Sequence, residues 1–127
     1  MKHQLLAAVV LAGGFAMQAN AACDYPVAPG KFPDGSQASL DEMKAAKASV
    51  VKYNADMETY LECIKAEYDA QLAAKTDATD KQKAEMEKVQ NQKHNAAVDE
   101  VTEVTNRFNE QLRAYKAKNP PAEKKPS

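Results

Sequence analysis

The sequence predicts an all-α protein: an antiparallel two-helix hairpin, coiled-coil-like, with an extended N-terminal strap stapled by one disulfide. Three observations predict this fold. Residues 39–118 contain no glycine or proline and are rich in Ala, Lys, Glu and Gln, which favour helix. Their apolar residues recur at alternating spacings of three and four, as in a coiled coil. The chain has two cysteines, Cys23 and Cys63, enough for one disulfide in an exported protein.

Residues 1–21 are typical of a bacterial secretory signal peptide. The segment MKHQLLAAVVLAGGFAMQANAA joins a basic start, an apolar run and small residues before a cleavage site. We place cleavage after Ala21, with Ala22 as the alternative. The apolar run is roughly half the length of a membrane-spanning helix. We therefore expect export to the periplasm and no integral membrane segment in the mature chain.

Cys23 follows the cleavage site closely, so a lipid anchor on this cysteine is the alternative to a disulfide. A lipoprotein signal has a Leu-like residue where this chain has Asn20. Lipidation would also leave Cys63 as a lone thiol in an oxidising compartment. The Cys23–Cys63 disulfide is the simpler interpretation.

Three zones follow the signal peptide: an extended Pro/Gly strap (22–38), the helical zone (39–118) and a disordered tail (119–127). Eighty residues are too many for one ordinary helix, and the Thr- and Asp-rich segment KTDATDKQ is the best place for a turn. We therefore predict helices over about 40–75 and 80–118.

Capping residues support these helix starts. Ser39 with Glu42, and Thr79 with Gln82, have the spacing of a capping box. The segment PDG at 33–35 predicts a turn that redirects the chain before the first helix begins.

The apolar seams of the two helices are strong at one end of the hairpin and weak at the other. In the first helix, the apolar residues of the seam recur from Met43 to Ile64 and include Ala46, Tyr53 and Tyr60. In the second they begin at Ala97 and end at Tyr115. We expect an apolar base at the open end and a polar tip near the turn, over about 65–93. The predicted hairpin core is Met43, Val50, Met57, Ile64, Val101, Val104, Phe108 and Leu112.

The strap is long enough to return along the first helix. Cys63 lies about 35 Å up that helix from Leu40, whereas 16 extended residues span up to about 50 Å. The strap would run along the helix flank that carries Ala46, Ser49, Asp56 and Cys63. The predicted contacts are Pro26, Pro29 and Phe32 of the strap against Tyr53 and Tyr60.

The chain contains, in this order, Cys23, the segment FPDG at 32–35 and the segment YLEC at 60–63, which ends in Cys63. In this arrangement it resembles a family of small exported helical proteins of proteobacteria, largely uncharacterised. The resemblance covers about residues 23–68. It implies no reaction, cofactor or catalytic residue.

The sequence offers no site for catalysis, for a cofactor or for a metal. There is no glycine after Gly35 and no phosphate-binding or nucleophile motif. His94, the only histidine after the signal peptide, lacks a partner acid at Asn91. The line of Tyr53, Tyr60 and Tyr68 is interpreted as core or strap contact, with a ligand-binding stripe as the alternative.

These observations predict a non-enzymatic periplasmic module with a structural or protein-interaction role, acting on an unknown protein partner or by self-association. The alternative is a periplasmic chaperone or peptide-binding protein that uses grooves of the hairpin. With 17 basic and 18 acidic residues, the net charge is −1, and nothing favours nucleic acid as a partner.

Overall fold

The computed structural model describes residues 22–122. The predicted signal peptide (1–21) and the end of the predicted tail (123–127) lie outside the described residues. The fold is the predicted hairpin: α1 is Leu40–Ala74 and α2 is Asp80–Lys118. With 35 and 39 residues, the helices are about 52 and 58 Å long. They begin and end within one residue of the predicted positions.

Both helices begin with a complete capping box. The Ser39 hydroxyl accepts from the Glu42 amide (3.2 Å), while the Glu42 carboxylate accepts from the Ser39 amide (2.7 Å). Thr79 and Gln82 make the same reciprocal pair at α2. These bonds satisfy amides that have no partner within the helix, and the Thr79 box marks the end of the turn between Ala74 and Asp80.

The core is a single apolar seam between the helices. Every buried residue of α1 belongs to the predicted three-four repeat. Six of the eight predicted core residues are buried, while Val101 and Leu112 are half-buried at the edge of the core. The buried residues are Met43, Ala46, Val50, Tyr53, Met57, Tyr60, Ile64, Ala97, Val104 and Phe108.

Burial stops at Ile64 in α1 and at Ala97 in α2. We call the covered half the base (40–64 and 97–118) and the other half the tip (65–96). No residue of the tip is buried, although Tyr68, Leu72 and Met86 are half-buried. Across the tip, Lys93 and Glu67 make an exposed ion pair of 3.5 Å.

The strap (22–38) runs back over the base and is tied at its start. The Cys23–Cys63 disulfide joins residues 40 apart in the sequence, with Cα atoms 5.7 Å apart. Cys23, Pro26, Pro29 and Phe32 are half-buried at a spacing of three, and buried Gly35 continues the repeat; Ala28 and Pro33, beside two of these positions, are half-buried as well. A period of three is that of a polyproline II helix.

The length of such a helix matches the helix beneath it. Twelve residues from Cys23 to Gly35 extend about 37 Å in polyproline II form. The 23 residues from Leu40 to Cys63 extend about 35 Å in an α-helix. The strap therefore covers the full apolar half of the hairpin without slack. At its end Asp34 begins the predicted turn, where its carboxylate accepts from the Ser36 amide (2.9 Å) and its carbonyl from Ala38 (2.8 Å).

Candidate interaction site

The start of the strap is held against α1 by the disulfide and by an aromatic pair. The rings of Tyr25 and Tyr60 meet edge to face, with centroids 4.8 Å apart. Such pairs contribute beyond the area they bury. Tyr60 thus contacts the strap, as predicted, but its aromatic partner is Tyr25, which the sequence analysis did not single out.

The hydrogen bonds of the strap to the helices go to α2. The Tyr25 hydroxyl donates to the Glu100 carboxylate (2.6 Å), and Nη2 of Arg107 donates to the Pro29 carbonyl (3.3 Å). The prediction placed the strap on one flank of the first helix. It contacts both helices, because an extended segment laid over the groove between them reaches apolar partners and hydrogen-bonding groups on each side.

Phe32 is the main apolar anchor on the α2 side. Its ring lies edge to face with Phe108, with centroids 5.8 Å apart. The Arg107 guanidinium lies 5.6 Å from the centre of the same ring, which allows a cation–π contact. Phe32 therefore packs on α2, whereas the sequence predicted contacts with Tyr53 and Tyr60.

Gly35 fixes the other end of the strap because only a residue without a side chain fits there. A Cβ atom at this position would lie 1.8 Å from the backbone oxygen of Gln111. The Gly35 amide also donates to the Gln111 side chain (2.9 Å). The strap is thus fixed covalently at Cys23 and by close backbone packing at Gly35.

Tyr53 lies beneath the strap with its hydroxyl buried, and that oxygen has no hydrogen-bond partner among residues 22–122. Burial raises the pKa of Tyr53 to about 12; the Glu100 carboxylate adds to this rise and Arg107 opposes it. Burial also raises the pKa of Tyr25, together with its hydrogen bond to Glu100. Both phenols therefore stay neutral at any physiological pH.

Beside the strap lies an open groove of about 830 Å³, which we call the strap groove. One wall is the strap from Val27 to Pro33, and the other is α1 from Glu42 to Asp56. The lining is largely apolar, and Lys52 and Asp56 form an ion pair along it. The apolar lining residues are Val27, Pro29, Phe32, Pro33, Ala45, Ala46 and Tyr53.

Pro29 and Phe32 thus share a groove with Tyr53, while Pro26 is half-buried elsewhere along the strap. Of the predicted tyrosine line, Tyr53 and Tyr60 belong to the core. Tyr68 is half-buried and lines a smaller groove of about 170 Å³ in the tip.

His94 is exposed on α2. Among residues 22–122, no three His, Cys, Asp or Glu side chains come close enough together to hold a metal ion. In the same part of the chain, no helix is both long and apolar enough to cross a membrane.

The sequence analysis missed the α2 side of this site: Glu100, Arg107 and Gln111. These residues are spaced by seven and four, so they share one helix face beside the core seam. That spacing was visible in the sequence. The spacing did not predict a contact, because polar residues at such positions are usually solvated. These residues contact the strap only because the strap runs beside them.

Comparison with protein-family models, with curated proteins and with solved structures finds no match to this chain. The resemblance to small exported proteobacterial proteins therefore stays a prediction.

Proposed function

We propose that this protein is a non-enzymatic interaction module of the periplasm that binds an extended segment of a partner protein in the strap groove. The observation that supports this most is the groove itself, about 830 Å³ between the strap and α1. Ligand sites have volumes of this order and are mostly apolar, with a few polar groups that set orientation.

The backbone of the strap favours a peptide as the occupant. Within the described part of the chain, 22–122, no backbone–backbone hydrogen bond involves residues 22–33. Apart from the Pro29 carbonyl, which accepts from Arg107, these groups are free to pair with an extended chain laid beside them. Pro26, Pro29 and Pro33 lack an N–H, which limits uncontrolled pairing with other strands.

The groove chemistry supports binding and not catalysis. Ser49 is the candidate nucleophile in the groove lining. Its hydroxyl donates to the Ala45 carbonyl of its own helix (3.1 Å). A serine nucleophile needs a base within hydrogen-bonding reach. Lys52 and Asp56 bind each other, so neither is poised as a general acid or base.

The disulfide is compatible with an exported protein, since such bonds persist in oxidising compartments. Together with the predicted signal peptide, it supports the periplasm as the place of action. The lipid-anchored form is the alternative, and intact mass of the exported protein distinguishes them. A disulfide lowers the mass by two hydrogens, whereas a lipid raises it.

A display library of extended peptides tests binding, with the disulfide-bonded protein as bait. We expect selected peptides to shift the amide resonances of Ala45, Ala46 and Ser49. Ala45→Trp should abolish binding because the indole fills the groove. Ala66→Trp is the matched control, because Ala66 is exposed on the same helical flank three heptads on, outside the groove.

Absence of binders up to millimolar peptide would contradict the proposal. So would binders that tolerate Ala45→Trp as well as they tolerate Ala66→Trp. If peptides bind the strap groove in this test, photo-crosslinking in intact cells from a probe at Ser49 would identify the physiological partner.

The second candidate is a chaperone that uses the same groove for unfolding clients. It is favoured by the largely apolar, weakly specific lining of the groove. An aggregation-suppression assay separates the two functions. A chaperone protects unrelated clients at near-stoichiometric ratios and loses this protection in Ala45→Trp, whereas a specific interaction module gives no such protection.

A further inference from the structure

The strap covers only one side of the hairpin and leaves the opposite flank of α1 open. The strap groove is lined by Ala45, Ser49 and Asp56, which mark the covered flank. The open flank carries Leu40, Lys44, Lys47, Val51, Glu58 and Leu61, and we call it the back face. With Asn54, these positions are spaced by four and three, the spacing of a second coiled-coil seam.

Two of the three apolar residues of the back face are exposed. Val51 is 59% exposed and Leu40 is 53% exposed, although both are large hydrophobic side chains. Leu61 is half-buried against the core. Val98, on the same side of α2, is 42% exposed. A strip of this kind on an isolated hairpin is a candidate interface.

The order of residues along the back face is self-complementary. When the strip is laid antiparallel on a copy of itself, centred on Val51, Val51 meets Val51, and Leu61 lies one residue from the position opposite Leu40. Lys44 then lies opposite Glu58, and because the pairing is two-fold, each contact away from the Val51 axis occurs twice. Opposite charges at facing positions of a helical seam select partner and orientation.

The charged side chains of the back face make no ion pair in the described part of the chain. Within residues 22–122, none of Lys44, Lys47 and Glu58 belongs to an ion pair. The side-chain oxygen of Asn54 is buried and accepts no hydrogen bond within the same range.

We propose that the back face binds a second copy of this chain in an antiparallel, two-fold dimer centred on Val51. The Lys44–Glu58 pairs set the register, and Leu40 and Leu61 close its two ends. The strap groove lies on the other flank of α1 and stays open in this dimer. The dimer therefore presents two strap grooves that face away from each other.

Sedimentation equilibrium of the disulfide-bonded protein, residues 22–127, tests the dimer. We expect a monomer–dimer equilibrium that weakens at least tenfold in Lys44→Glu and in Glu58→Lys, because each change places like charges opposite each other twice. The double variant Lys44→Glu/Glu58→Lys should recover wild-type association, since it restores both pairs with reversed sign. Asp99→Lys is the control: it makes a similar charge reversal at an exposed site of α2 away from the back face.

A monomer at every concentration up to about 1 mM, where association would be weaker than about −4 kcal/mol, would overturn the proposal. A dimer that is insensitive to the single reversals, or that the double variant fails to restore, would also overturn it. Circular dichroism and the melting temperature of each variant confirm that the hairpin is intact. Because Ala45→Trp fills only the strap groove, a loss of peptide binding leaves the dimer unchanged, and the two proposals fail separately.

Discussion

The base and the tip of the hairpin are built from the same two helices, yet only the base has a core. In the base, an apolar seam is sealed by the strap, and Met57, Ile64 and Val104 are each no more than 1% exposed. In the tip, no residue is buried and an exposed ion pair joins the helices. Two things separate the halves: the tip lacks a continuous apolar seam, and no strap lies over it.

Loss of the disulfide should lower the free energy of unfolding of the base more than any other change proposed below. The double variant Cys23→Ser/Cys63→Ser frees a 40-residue loop and leaves no lone thiol. In the chain-entropy model this costs about 4 kcal/mol of the free energy of unfolding. Urea denaturation measures it. An unchanged urea midpoint would mean that the strap stays in place without the disulfide. The stability of the base would then not depend on the disulfide.

The same substitution in each half compares the two regions directly. Met57→Ala removes a side chain that is 1% exposed and should cost about 3 kcal/mol, because it leaves a cavity in the core. Met86→Ala, at a half-buried site of the tip, should cost less than about 1 kcal/mol. Equal losses in thermal or urea unfolding would show that the tip is packed as the base is.

The two glycines of the strap make a matched pair. Gly35→Ala forces the strap away from α2, since the new methyl group would overlap the Gln111 carbonyl, and should cost about 2 kcal/mol. At Gly30 no atom lies within 4 Å of a new Cβ. Gly30→Ala should therefore stabilise the fold by about 0.5 kcal/mol through the unfolded chain. The difference between the two melting temperatures tests whether the strap is seated as described.

The Tyr53 phenol beneath the strap predicts a smaller, alkaline effect on the stability of the base. Below pH 10, Tyr53 is neutral in the folded and in the unfolded chain. From pH 10 to about 12, the unfolded chain loses this proton while the folded chain keeps it, because burial raises the pKa of Tyr53 to about 12. Stability contributed by this group is therefore lost as pH rises through that range.

Tyr53→Phe checks this assignment. It removes a buried hydroxyl that has no hydrogen-bond partner within residues 22–122, so stability at pH 7 should be unchanged or slightly higher. The fall in urea midpoint from pH 10 to 12 should be shallower than in the wild type. A fall of the same steepness would show that Tyr53 is not shielded in the base.

The sequence predicted the hairpin, its ends and most of its core for clear reasons. The three-four repeat from Met43 to Ile64 and the two capping boxes are local signals, and each acts within one or two helical turns. The disulfide followed from there being only two cysteines in a chain whose first residues predict an export signal. These features need no knowledge of which surfaces meet.

The candidate site was only half predicted. Tyr53 and Tyr60 lie under or against the strap, but Tyr25 was overlooked and Phe32 packs on Phe108. Contacts over 75 or more positions, such as Tyr25 with Glu100 and Gly35 with Gln111, are not marked by the sequence as pairs, although the α2 residues share one helix face. They depend on the exact path of an extended segment, which has many alternatives of similar length.

By itself, then, the sequence determined which segments are helical, where they turn and which cysteines pair, because helix formation, capping and cysteine count are local or enumerable. Only the tertiary structure decided that the strap lies across both helices, that Gly35 must lack a side chain, and that one flank of α1 forms a groove while the other stays open. Those outcomes depend on how the strap, α1 and α2 pack against one another. No single segment of the chain contains that information.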